Sequence, residues 1–141
     1  MAVFRCASCG GVNRVDPGRV GPKCGRCGNV LAVDGSPVVL TDDELDRLVQ
    51  SSPVPVLVDF YADWCQPCRS IAPLLEQLGK RHAGKLIVAK IDTERQQRTA
   101  SRLGVEGIPA VYLFRGGKPV DQRVGALPYP EWEKLVAPHL G

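Results

Sequence analysis

Asp59-Phe60-Tyr61-Ala62-Asp63-Trp64-Cys65-Gln66-Pro67-Cys68 joins two different sequence periodicities. Before its cysteines, Val54 to Ala62 is almost continuously apolar and β-prone, the composition of a strand covered on both faces, with Pro53 and Pro55 near its entrance. After them, Ile71, Leu74, Leu75 and Leu78 recur at helical spacing behind Pro67, with Pro73 inside the run as a kink. The stretch therefore spans the turn from a central strand into a helix. Cys65 stands at the exposed helix start, where unpaired N–H groups and the positive end of the helix dipole favour thiolate over thiol. Cys68, one helical turn further in and more shielded, can close a disulfide with it. Asp59 lies inside the apolar strand, where an unpaired charge is expensive, and that cost points to a chemical role.

Outward from this junction, Val38-Val39-Leu40 reads as a short strand, and Thr41-Asp42-Asp43-Glu44 as a capping box opening a helix with Leu45, Leu48 and Val49 on one face. Leu86 to Ile91 is a further buried strand, and Thr93 and Glu94 lead into a polar helix ending near Leu103-Gly104. Ala110 to Phe114 and Pro119 to Val124 flank Gly116-Gly117 as a hairpin, and a last helix runs from about Tyr129 to Leu140. The order β, α, β, α, β, α, β, β, α predicts an α/β fold: a mixed five-stranded sheet with helices on both faces.

The four remaining cysteines lie in a different setting. Cys6-Ala7-Ser8-Cys9-Gly10 and Cys24-Gly25-Arg26-Cys27-Gly28 each end in a glycine that permits the tight positive-φ turn by which backbone N–H groups face thiolate sulfurs. Fourteen residues rich in Gly, Pro, Asn and Asp separate Cys9 from Cys24. Paired knuckles at this spacing predict one structural zinc held by Cys6, Cys9, Cys24 and Cys27, with two disulfides or an iron site as the alternatives. The turn-rich Asp34-Gly35-Ser36-Pro37 marks the boundary, giving a zinc ribbon over residues 1–34 and a second domain over 35–141. So small a first module cannot bury enough apolar surface to fold alone, so the metal would supply most of its stability.

A 141-residue chain has room for one such core plus a small module, and 44% apolar with 23% charged residues suits a protein that folds in water. The net charge of +3 resides entirely in residues 1–34, where five Arg and Lys face two Asp. Four thiolates on a divalent metal would bring that local charge to about +1, leaving little pull on phosphates, so nucleic acid is not an expected partner. No apolar stretch has the length of a signal peptide or a bilayer span, so the expected setting is cytoplasmic, without a membrane.

Val58-Asp59-Phe60-Tyr61-Ala62, Trp64-Cys65-Gln66-Pro67-Cys68, Ile71-Ala72-Pro73, Gly107-Ile108-Pro109 and Val124-Gly125-Ala126 together resemble the thioredoxin family over residues 37–141. With the knuckles added, the chain resembles the subtype that carries a zinc ribbon before the thioredoxin fold. It departs from the family pattern at Gln66, where the family has Gly, and at Tyr61, where Trp is usual.

The resemblance implies a protein-disulfide reductase that uses a redox-active Cys65–Cys68 disulfide, with no organic cofactor, and has thioredoxin reductase and disulfide-containing proteins as partners. Asp59 would take the proton of Cys68, so that Cys68 resolves the mixed disulfide formed by Cys65. Pro109 matches the family's cis proline, and Ile108 beside it would pair with an extended substrate segment framed by Trp64, Gly107 and Gly125. Lys90 takes the place of a family lysine near Asp59, or is a solvated strand-end charge. His82 and His139 have no cysteine near them in sequence and receive no role. Two other functions stay open at this point: a disulfide oxidase or isomerase, and a zinc-ribbon adaptor with a thioredoxin scaffold.

Overall fold

The computed structural model describes residues 2–6, 9–15, 22–29, 31 and 35–140. The expected boundary at 34/35 falls at the edge of residues 32–34, which lie outside the described ones. In chain order the elements are β1 (Ala2–Arg5), β2 (Val12–Val15), β3 (Val38–Val39), α1 (Asp42–Ser51), β4 (Val56–Tyr61), α2 (Gln66–Arg81), β5 (Ile87–Asp92), α3 (Arg98–Leu103), β6 (Ala110–Arg115), β7 (Lys118–Val124) and α4 (Tyr129–Val136). The pair β1 and β2 forms a separate antiparallel hairpin, which two strands of only four residues each did not announce in the sequence.

The five-stranded sheet has the order β3-β5-β4-β6-β7. Strands β3, β5 and β4 run parallel, β6 runs antiparallel to β4, and β7 runs antiparallel to β6. Strand alternation then sorts two cores. Val56, Val58 and Phe60 of β4 join Ala89 and Ile91 of β5 under Leu45, Leu48 and Val49 of α1 and Ala100 of α3. Leu57, Val88, Val111 and Leu113 face the other way, under Ile71, Leu75 and Leu78 of α2 and Trp132, Leu135 and Val136 of α4. Each buried Leu, Ile or Phe contributes roughly 1.5–3 kcal/mol by leaving water, and Val56 to Phe60 of β4 are buried between the two layers.

The capping box at Thr41 forms in full: Glu44 N–H donates to Thr41 Oγ1 (3.2 Å) and Thr41 N–H to Glu44 Oε1 (2.9 Å). Helix α2 continues through Pro73 to Arg81. Helix α3 starts at Arg98, later than its sequence suggests, because Asp92 ties up the preceding turn by accepting from Glu94 N–H (2.9 Å, side chain) and Gln96 N–H (2.8 Å, carbonyl). Its first N–H groups are satisfied across the fold. The buried Asp42 carboxylate accepts from Arg98 N–H (3.2 Å) and Thr99 N–H (3.0 Å), taking the capping part that the Gln97 side chain leaves unfilled. The last helix is shorter than expected, giving way at Val136 to a 3-10 turn over Ala137–His139. Pro138 has no N–H to continue the α-helical ladder.

The ribbon sits at the far end of α2 from Cys65. Ala83, just past that helix, packs against the cluster of Phe4, Cys6, Val15, Cys24 and Leu31. Gly35 (φ +83°) lies so close to Gly79 that a Cβ on either would overlap the other's carbonyl oxygen. Gly79 lies in the last turn of α2 (Gln66–Arg81), about 20 Å from the helix start at 1.5 Å per residue.

Candidate active site and metal centre

Cys65 caps α2 in an extended conformation (φ −84°, ψ 107°), the geometry of a residue whose side chain can turn back onto the helix's first N–H groups. Its Sγ accepts from the N–H of Cys68 at 3.2 Å, and the two residues are joined as a disulfide with Cα atoms 5.3 Å apart. In this oxidised form both are equally buried, at 3% exposure. The expected contrast of an exposed Cys65 and a shielded Cys68 is therefore absent: both pack in one cluster with Ala62 and Ile108. What distinguishes them is that the donated N–H lands on Cys65, which favours a thiolate there.

Asp59 is 1% exposed, and neither carboxylate oxygen has a hydrogen-bond partner among the described residues. Burial pushes its carboxyl up to about 6, against the opposing pull of the Lys90 ammonium. Lys90 is its parallel-register neighbour on β5, and its Nζ stands 4.5 Å from the centre of the Tyr61 ring. The aromatic face thus holds the cation beside the acid. A lysine at this position is therefore not a free strand-end charge.

The Ile108–Pro109 peptide bond is cis. Ile108 packs on the cluster formed by Ala62, Cys65 and Cys68, and Pro109 is tied down by Gly125, whose N–H donates to its carbonyl at 2.9 Å. Gly125 takes φ +103°, a conformation that favours glycine, while Gly107 is exposed with open space where a Cβ would stand. Trp64 is 68% exposed, yet its ring is held, since Nε1–H donates to Glu94 Oε1 at 2.8 Å. Glu94 was not legible as a site residue: it stands thirty positions from Trp64, and nothing local signals the pairing. His82 pairs with Glu133 (Nε2 to Oε2, 3.0 Å) between the end of α2 and α4.

The other four cysteines converge. The sulfurs of Cys6, Cys9, Cys24 and Cys27 all lie within 4.8 Å of one another, with Cys6 to Cys27 and Cys9 to Cys24 at 3.5 Å. A tetrahedral site with metal–sulfur bonds of about 2.3 Å spaces its sulfurs by about 3.8 Å, so the cage fits such a metal. Gly10 (φ +75°) and Gly28 (φ +80°) make matching turns, each N–H donating to the carbonyl of the first cysteine of its pair at 2.8 Å. Gly11 N–H reaches Cys9 Sγ and Arg26 N–H reaches Cys24 Sγ, both at 3.4 Å. Asn13 in β2, which the sequence did not single out, donates to Cys24 Sγ (3.4 Å) and accepts from Gly25 N–H (2.9 Å), joining the hairpin to the second knuckle. The Asn13 amide and the Cys27 N–H bring the Cys24 thiol down to about 6, toward the thiolate a metal requires.

Comparison with known proteins gives one consistent result. The family model described as Thioredoxin matches residues 36–137. Thioredoxin 1 of Nostoc sp. is 40% identical over 101 residues, covering 72% of this chain and 94% of the relative. The thioredoxin of Alicyclobacillus acidocaldarius is 42% identical over 100 residues, covering 71% and 94%. Among solved structures, an asparagine-to-glutamine mutant of thioredoxin from Halobacterium salinarum superposes with a TM-score of 0.71 at 36% identity, covering 78% of this chain and 96% of that one.

Proposed function

The chain belongs to the thioredoxin family and is thereby a thiol–disulfide oxidoreductase; from that premise we propose that it is a cytoplasmic protein-disulfide reductase, recycled by a thioredoxin reductase. The observation that carries this reading is the Cys65–Cys68 disulfide at the start of α2, with the Cys68 N–H on the Cys65 sulfur.

In the reduced protein the Cys65 thiolate attacks one sulfur of a substrate disulfide. A Cys65–substrate bond forms, the substrate S–S bond breaks, and the second substrate sulfur leaves as a thiol after taking a proton. Cys68 then gives its proton to the Asp59 carboxylate and attacks the Cys65 sulfur, forming the Cys65–Cys68 bond and expelling the first substrate sulfur. Two electrons pass to the substrate. The buried, unpartnered carboxylate supports this part for Asp59, because a group pushed up to about 6 is a competent base near neutral pH.

Substrate is held as a short added strand along Ile108. Its N–H and carbonyl make no hydrogen bond among the described residues, and Pro109 supplies no competing N–H. Trp64, Gly107 and Gly125 frame that groove, the glycines leaving room for a second backbone.

Residues 1–34 form a zinc ribbon and 35–141 the redox domain. Cys6, Cys9, Cys24 and Cys27 would hold one zinc, which supplies folding energy to the ribbon and takes no part in electron transfer. The packing of Ala83 on the cluster of Phe4, Cys6, Val15, Cys24 and Leu31 supports a seat for the ribbon behind the redox domain, leaving the groove open.

The test is NADPH-driven reduction of a model protein disulfide in the presence of a thioredoxin reductase. Turnover that disappears when Cys65 is replaced by Ser is the expected result. No turnover with either the reductase or a chemical dithiol as electron source would instead favour the scaffold.

A further inference from the structure

Beside the groove lies a cavity of about 350 Å³ that the disulfide exchange itself does not use. Its walls include Trp64, Glu94, Ser101, Val105, Glu106 and Ile108. Two of these connect it to the reacting centre: Trp64 precedes Cys65 in the chain, and Ile108 packs directly on the cysteine cluster. A substrate backbone lying along Ile108 would therefore run beside this space, within reach of its side chains.

The chemistry of the lining is one-sided. Among the described residues its ionisable groups are Glu94 and Glu106 only. Glu94 is engaged, one oxygen accepting the Trp64 indole N–H at 2.8 Å. Glu106 is exposed and makes no hydrogen bond or ion pair among the described residues. The cations nearest in sequence are paired with other carboxylates: Arg95 with Asp92 (3.8 Å), Arg98 with Asp43 (2.8 Å) and Asp46 (2.6 Å), and Arg102 with Asp46 (3.1 Å). The cavity thus offers a free carboxylate together with an aromatic ring that its own hydrogen bond holds in place, and apolar walls at Val105 and Ile108.

We propose that this cavity is a specificity pocket for a cationic side chain, arginine above all, lying within two residues of the attacked cysteine in the substrate protein. An Arg stem would cover Val105 and Ile108, its guanidinium would lie against the Trp64 ring, and its N–H groups would donate to the Glu106 carboxylate. A lysine offers a point charge without the planar fork, so it fits second. An acidic side chain meets Glu94 and Glu106 and is repelled. The inference rests on the reductase reading, since it names the substrate class of that same groove.

The experiment uses the full chain, reduced beforehand with a small dithiol, and disulfide-linked peptide pairs carrying Arg, Gln or Glu at each of the two positions on either side of the cysteine. At one of these positions the Arg peptide should be reduced about five-fold faster than the Gln peptide at low salt, the size of one exposed ion pair, and the Glu peptide more slowly than either. High salt should shrink the Arg-to-Gln ratio. Glu106→Gln should bring that ratio close to one, and Glu106→Lys should turn the preference toward the Glu peptide. A general loss of structure would lower all rates together and leave the ratio alone. Equal rates for the three peptides, or a ratio untouched in Glu106→Gln, would overturn the pocket while leaving the reductase standing. Failure to reduce any peptide would remove both.

Discussion

Replacing Asp59 by asparagine tests the environment from which the acid's chemistry follows. The carboxyl rises from 3.8 to about 6 on folding, because burial penalises its charge more than Lys90 compensates. Below its unfolded value the group is protonated in both states and contributes nothing adverse. Between 3.8 and about 6 the folded protein binds the extra proton, so stability falls as pH rises through this window, and above it the whole penalty is present. A shift of about two units corresponds to about 3 kcal/mol, of which about 2–3 kcal/mol separates about pH 4 from about pH 7.5. The asparagine variant has no charge to bury at this position, so it lacks the slope. Urea unfolding of the oxidised protein, followed by the fully buried Trp132, should therefore show Asp59→Asn gaining about 2–3 kcal/mol on the native chain between those pH values. Any fixed cost of the amide cancels in this double difference, and so does any change in the ribbon, which both proteins share. Parallel pH profiles for the two would refute the reasoning: the carboxylate would then be solvated or paired in solution, and its fitness as a base at neutral pH would lose its physical ground.

Three further outcomes follow from the geometry. Asp42→Ala removes the acceptor for the Arg98 and Thr99 N–H groups and should lower stability by about 1–2 kcal/mol in urea unfolding, with Asp42→Asn recovering part of it. Gly35→Ala places a Cβ against the Gly79 carbonyl at a strained φ of +83° and should lower stability by more than about 1 kcal/mol, with faster proteolytic cutting near the ribbon junction; an unchanged unfolding midpoint would mean that the contact is not formed in solution. Metal analysis should find one zinc per chain, kept when Cys65 and Cys68 are both replaced by Ser and lost when Cys6, Cys9, Cys24 and Cys27 are replaced.

Much of this fold is legible in the sequence because its signals are local. The apolar run before the third cysteine pair reads directly as β4, the Leu and Ile spacing after Pro67 as α2, and Thr41 with Glu44 as the start of α1. The three Cys-x-x-Cys pairs separate by their neighbours, glycine turns in two and a strand-to-helix junction in the third. Features missed are those made by residues distant in the chain. Asp42 caps a helix fifty-six residues away and sets its start at Arg98, which no local pattern around α3 reveals. Glu94 holds Trp64, and Asn13 ties β2 to the second knuckle, each through a contact across loops that spacing cannot encode. The β1–β2 hairpin escaped notice because its strands are four residues each and are held together beside the cysteine cage rather than by an apolar alternation of their own.

The most direct test of the account is to express Cys65→Ser and Cys68→Ser variants in cells and resolve the extracts on non-reducing gels. With Cys68 replaced, the covalent complex made by Cys65 has no neighbouring thiolate to release it, and substrate proteins should accumulate as mixed disulfides until an external thiol is added. With Cys65 replaced, the attacking sulfur is gone and far fewer complexes should form. Equal trapping by both variants would contradict the assignment of attack to Cys65 and resolution to Cys68, and no trapping by either would contradict the proposal that this chain reduces protein disulfides.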